Sequence, residues 1–143
     1  MRALAIFLIA LITYSSSVSA SKCFTAADVY FDPGSHDIPA EQQQGINGAI
    51  ERARQDNTVL AVLPVGHSDS FEVPEEKQFQ LSLDRAKAVA EYVVSTYPEL
   101  KDVVYPEGKG AKQPLSNTNV SLNRRVSMEV ICVVKGPFAF PKR

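Results

Sequence analysis

Apolar positions along the chain fall into two rhythms, short contiguous runs and runs spaced for a helical face. Val29-Tyr30-Phe31 is short and β-favouring, and Asp32-Pro33-Gly34-Ser35 breaks it. From Pro39 onward Ile46, Ala49, Ile50 and Ala53 recur on one helical face, and Gln55-Asp56-Asn57 ends that helix. Val59-Leu60-Ala61-Val62-Leu63-Pro64-Val65 is too short for a helix and predicts a buried strand. A polar loop, Gly66 to Phe71, follows. Pro74-Glu75-Glu76 then marks a second helix start, with acidic side chains near the positive end of the dipole. Ala86, Val89, Ala90, Val93 and Val94 form its apolar face, and Pro98 marks its end. Val103-Val104-Tyr105 predicts a short strand closed by Glu107-Gly108-Lys109-Gly110, and Asn117 to Arg125 a single helical turn. Val126 to Val134 gives the longest strand signal, alternating in its first half. The tail, residues 135–143, has two prolines and predicts an irregular extension. No internal repeat is present.

The N-terminus changes the picture of where such a domain works. Arg2, the apolar run Ala3 to Ile12, and the ending Ser17-Val18-Ser19-Ala20 read as a cleavable secretory signal over residues 1–20. The apolar core is about ten residues, against about 20 for a membrane span. Lys22 before Cys23 argues against a lipoprotein signal, which needs a small residue there. Residues 21–143 are enough for one domain with a core. Cleavage removes Arg2, one of 15 basic residues against 16 acidic ones, so the mature chain is slightly acidic. That balance argues against a nucleic-acid partner, and no later stretch reaches membrane length. Cys23 and Cys132 both lie in the mature part, where an exported pair is bridged or, on the plainer reading, stays as two thiols.

Catalytic chemistry is poorly served. The two histidines, His36 and His67, and the two distant cysteines offer no metal-ligand spacing, and no cofactor is expected. Neither a glycine-rich phosphate loop nor a serine-hydrolase elbow occurs. Paired carboxylates such as Asp32 and Asp69 are what a glycosidase reading would use.

A pattern spread along the chain is more informative. Gly66-His67-Ser68-Asp69 is followed by Leu81-Ser82-x-x-Arg85-Ala86-x-x-Val89 and then by Asn123-Arg124-Arg125-Val126. Val29-Tyr30-Phe31-Asp32 lies ahead of them, and Gly108-Lys109-Gly110 with Pro114 lies between the last two. In this order and spacing, from Val29 to Ile131, the chain resembles the OmpA-like peptidoglycan-binding domains. The resemblance implies an α+β fold of βαβαββ order, a mixed four-stranded sheet with helices packed on one face, spanning 21–134. It implies non-covalent binding of peptidoglycan, with no reaction performed, through the diaminopimelate residue of the stem peptide. The free end of that residue carries an ammonium and a carboxylate, so it calls for one anion and one cation. The matching positions are Asp69 and Arg85, with Arg124, Ser68 and Gln78 assisting. Arginine suits a carboxylate because its planar fork donates two parallel hydrogen bonds.

Each of these residues also has a plainer reading. Asp69 could cap its own loop, and Arg85 could flank a solvated helix face. Of Arg124 and Arg125, one is expected to be structural, and His67 to be a packed loop histidine. Ser82 reads as a local hydrogen-bonding residue of its helix. The chain also departs from the family pattern. Gln78 stands where an asparagine is usual, and Ser70-Phe71-Glu72 stands where a glycine follows the aspartate. The Asp69–Leu81 segment is about one residue longer than usual, and Gly34 replaces a polar residue. The family's neighbouring, antiparallel first and last strands imply a Cys23–Cys132 disulfide. The whole points to a periplasmic, wall-associated module. The rival is an envelope assembly subunit that kept the fold and lost wall binding.

Overall fold

The computed structural model describes residues 21–134; the expected signal segment and the 135–143 tail lie outside the described residues. Four strands and two α-helices follow in the order β1 (Lys22–Tyr30), α1 (Ala40–Arg54), β2 (Asn57–Gly66), α2 (Glu75–Thr96), β3 (Glu107–Gly108) and β4 (Arg125–Val134). Short 3-10 segments at Pro98–Val103 and Val120–Asn123 complete the chain. The sheet order is β1-β4-β2-β3, with β4 antiparallel to β1 and β2, and β3 parallel to β2. This is the expected mixed four-stranded α+β arrangement.

Alternation sets the layers. Val126, Met128, Val130 and Cys132 of β4 are all buried on one face, in register with Val29 of β1 and Val62 of β2. Onto that face α1 brings Ile46, Ala49, Ile50 and Ala53, while α2 brings Val89 and Val93. The helical faces read from the sequence are thus the ones buried, except that Val94 of α2 is only half-buried. Pro39 and Pro74 precede the two helices, where a missing N–H costs nothing. Thr25 Oγ1 donates to the Ala49 carbonyl (2.8 Å), tying β1 to α1. Cys23 and Cys132 are paired across β1 and β4, with Cα atoms 4.9 Å apart, and form a disulfide.

Two strands differ from the sequence expectation. β1 begins at Lys22 and not at Val29, because its inward positions are the small Cys23, Thr25 and Ala27, which give no contiguous apolar run. The strand expected at Val103-Val104-Tyr105 is a single parallel bridge, Val62 to Val104, with the Tyr105 N–H donating to the Val62 carbonyl (2.9 Å). Val103 is drawn into the preceding 3-10 segment, and Pro106, which has no N–H, separates that bridge from β3.

The carboxyl ends of β1 and β2 and the start of β4 lie at one end of the sheet. Lys22 and Val133 are paired at the other end. The loops that follow β1 and β2 therefore meet the segment entering β4. α2 is drawn tightly against this end. A Cβ on Gly66 would lie 1.8 Å from the Ser82 carbonyl oxygen, and one on Gly108 would lie 2.8 Å from the Leu83 nitrogen.

Candidate functional site

The site grows from the loop that leaves β2. His67, Ser68 and Asp69 are all buried. The Ser68 N–H donates to the Gly110 carbonyl (3.1 Å) and its hydroxyl to the Gln78 carbonyl (3.2 Å). Asp69 turns the chain: its Oδ1 accepts from the N–H groups of Phe71 (2.6 Å) and Glu72 (2.8 Å). Such an aspartate closes an Asx turn by standing in for a backbone carbonyl. The plainer loop-capping reading of Asp69 is therefore part of its role. Its Oδ2 meets Arg124 Nη1 at 3.0 Å, in an ion pair whose arginine is 17% exposed.

Arg124 is aimed by the turn before it. Asn123 is buried; its Oδ1 accepts from Leu115 N (2.7 Å) and Ser116 N (3.0 Å), and its Nδ2 donates to the Ser116 carbonyl (2.7 Å). Arg124 Nε then donates to the Phe31 carbonyl (3.2 Å), and the Phe31 N–H returns to the Arg124 carbonyl (2.9 Å). Arg124 is thus the one of the two arginines that pairs with a carboxylate and a loop carbonyl, whereas Arg125 is buried with its Nε donating to Ser127 Oγ (3.3 Å). Ser82 does more than bond locally: its hydroxyl donates to the Phe79 carbonyl and accepts from Gly110 N (2.8 Å), so it pins the loop after β3 to α2.

Arg85 is 0% exposed, which rules out the solvated-flank reading. Its side chain crosses from α2 to the ends of β1 and β2, with the guanidinium carbon 5.3 Å from the Phe31 ring centroid. Nε donates to Ser35 O (2.8 Å), Nη1 to His67 O (3.0 Å) and Nη2 to Asp32 O (3.2 Å). The two remaining N–H groups form a parallel fork onto Glu72, 2.7 Å to Oε1 and 2.5 Å to Oε2. The Glu72 side chain is only 1% exposed. Its Oε1 also accepts from the Asp69 N–H (2.8 Å), and its Oε2 from the Gly34 N–H (2.9 Å). All five guanidinium donors and all four acceptor positions of the carboxylate are filled within the chain.

Asp69 and Arg85 are thus close neighbours around one centre, as their sequence positions implied. They are bridged, however, by a residue to which the sequence pattern assigns no role. The departures from the family pattern converge there. Glu72 belongs to the Ser70-Phe71-Glu72 stretch that stands in place of the usual glycine, Gly34 adopts φ +69° and presents its N–H to Glu72, and Gln78 Nε2 donates to the Ser70 carbonyl (3.2 Å) in the same loop. Absence of the usual glycine was the visible signal; the partner of Glu72 was not. Alongside lies a cleft of about 230 Å³ that Ser68, Ser70, Phe71, Pro114 and Asn123 help to line. A larger hollow, about 1120 Å³ between Phe79 and Lys109, has none of Asp69, Glu72 or Arg85 in its lining, so volume does not mark the centre. The imidazole of His67 is held well below the usual histidine range, at about 4. Burial is the main cause, and the cations Arg125 and Lys109 add to it.

The sheet order β1-β4-β2-β3, with two helices packed on it and three loops converging at one strand end, defines a mixed α+β domain. The OmpA family profile matches residues 30–126, and the chain belongs to the OmpA family. No curated protein matches it in sequence. Among solved structures it is similar to the OmpA-like domain of FopA1 from Francisella tularensis, with TM-score 0.62 and 20% identity, covering 81% of this chain and 82% of that one. The cell wall anchor of the type VI secretion system from Pseudomonas aeruginosa gives 0.59 and 21%, covering 78% and 86%. The peptidoglycan-associated lipoprotein of Burkholderia pseudomallei gives 0.57 and 19%, covering 73% and 89%. At these identities the likeness is one of fold.

Proposed function

We propose that the domain binds peptidoglycan non-covalently in the periplasm, through a carboxylate of the diaminopimelate stem residue, and so anchors or braces the envelope without performing a reaction. The observation that carries this reading is the Arg85 fork. A buried guanidinium and two backbone N–H groups, from Gly34 and Asp69, converge on one carboxylate-sized position. Asp69 and Arg124 flank it, and Asp69 supplies the anion that a ligand ammonium would need. Family membership and the wall-anchoring role named for one structural neighbour support the same reading. Residues 1–20, as a cleaved signal, would deliver the chain to that compartment.

The test uses the ligand's chemistry. Purified sacculi containing diaminopimelate should retain the protein, and free meso-diaminopimelate should release it. Lysine, which lacks the second carboxylate, should not. Equal release by both amino acids, or no retention at all, defeats the reading. One observation favours the alternative of an assembly subunit with weak or lost wall binding: the fork is already filled by Glu72. Retention by an envelope protein and not by sacculi would establish that alternative.

A further inference from the structure

Glu72 is held as a ligand is held. Its carboxylate receives four donors from three separate segments: Gly34 after β1, Asp69 after β2 and the two-pronged fork of Arg85 on α2. None of these donors is specific to a glutamate side chain. Without Glu72 they would surround a buried gap bearing a positive charge, which only another carboxylate or similar anion satisfies.

The segment that delivers Glu72 is built as a short arm. Asp69 Oδ1 closes the turn onto Phe71 N and Glu72 N, so the arm's geometry depends on a few local bonds. Beyond it, Phe71 is 81% exposed and locks nothing down. Gln78 steadies the arm from α2 through the Ser70 carbonyl. The three positions at which the chain departs from the family pattern, Gly34, Glu72 and Gln78, therefore serve one structure.

We propose that Glu72 is an internal ligand that occupies the Arg85 receptor, and that an external carboxylate binds by displacing it. This rests on the wall-binding reading for the identity of the external ligand, though not for the existence of the receptor. A tethered competitor lowers apparent affinity by the fraction of time the receptor is free. If the arm is out for about 1–10% of the time, removing the competitor raises affinity about 10–100-fold.

The experiment compares full-chain wild type with Glu72→Ala and Glu72→Gln, using acetate, meso-diaminopimelate and sacculi as probes. Acetate should raise the melting temperature of Glu72→Ala saturably and leave wild type unmoved, since it refills the gap. Glu72→Gln keeps the shape but offers one acceptor oxygen, and it covers the case in which Glu72→Ala does not fold. Diaminopimelate should bind whichever variant folds at least tenfold tighter than wild type. Adding Arg85→Lys to that variant should abolish the gain, because an ammonium cannot reproduce the fork. Identical acetate responses in wild type and Glu72→Ala, or measurable diaminopimelate binding that is no tighter in either variant than in wild type, overturn the internal ligand. Acetate rescue of Glu72→Ala with no sacculus or diaminopimelate binding by any variant upholds the receptor and its occupant and defeats the wall-binding reading instead. Sacculus binding by wild type that both Glu72 variants leave unchanged does the reverse.

Discussion

The His67 side chain sits one residue from a crowded node, since its carbonyl accepts from Arg85 and its N–H donates to Arg125 O (2.8 Å). Burial and the nearby cations hold the folded imidazole near 4, against 6.5 for an ordinary histidine. Between those values the unfolded chain carries a proton that the native chain lacks, so stability is full above pH 6.5 and falls as pH drops toward 4. Thermal melts from pH 7 to 4.5 should show a loss on the order of 1–3 kcal/mol that His67→Gln removes; parallel profiles for the two proteins contradict it. At this scale much of the site was legible. Asp69, Arg85 and Arg124 stand out because they fall at positions that the resemblance to the OmpA-like domains implies, and the fold brings them together. Glu72 does not stand out, since one acidic residue in a polar loop looks solvated. Its burial depends on an arginine 13 residues away on a helix and on a glycine 38 residues away in another loop. Pairings across that distance leave no periodic trace.

α2 is placed by what β2 and β3 omit. Any side chain at Gly66 meets helix backbone and not a movable side chain, so Gly66→Ala must push α2, and Arg85 with it, away from the strand ends. The expected cost is about 3 kcal/mol, read as a lower urea midpoint. Gly45 provides the contrast. It lies exposed in α1 with nothing within 4 Å of where an added methyl would sit, so Gly45→Ala should raise stability by about 1 kcal/mol through helix propensity alone. Similar shifts for the two variants would show that the close approach at Gly66 carries no weight. The helices and β2 were legible because each buries a periodic or continuous apolar run. β1 was legible only at its end, because an edge strand that pairs through Thr25 and Ala27 packs with little apolar content. β3 was misplaced because two residues carry no periodicity at all.

Across the whole molecule, the disulfide closes nearly the entire described chain into one loop, with a sequence separation of 109. In the chain-entropy account a closure of that length is worth up to about 4–5 kcal/mol. Cys23→Ala with Cys132→Ala should lower the urea midpoint accordingly, and reductant should do the same to wild type. Coincident unfolding curves for wild type and the double variant would refute the stabilisation. Order and layering were readable at this scale, since the motif blocks fix both. Pairing of the cysteines was implied by the family's neighbouring first and last strands, and their register places them directly opposite. The same register has a mechanical meaning. Residues 22 and 133 sit side by side at the end of the sheet away from Arg85, about 30 Å along β1 from the loops that hold the receptor. On the proposed wall-binding reading, tension between a ligand held at Arg85 and the far end of the sheet runs parallel to the strands. The rungs between β1 and β4 lie across that pull and share it in shear, so they resist together where a pull on a hairpin would unzip them singly. With Cys23 covalently fastened to Cys132, load entering through one end is divided with the other before any rung gives way.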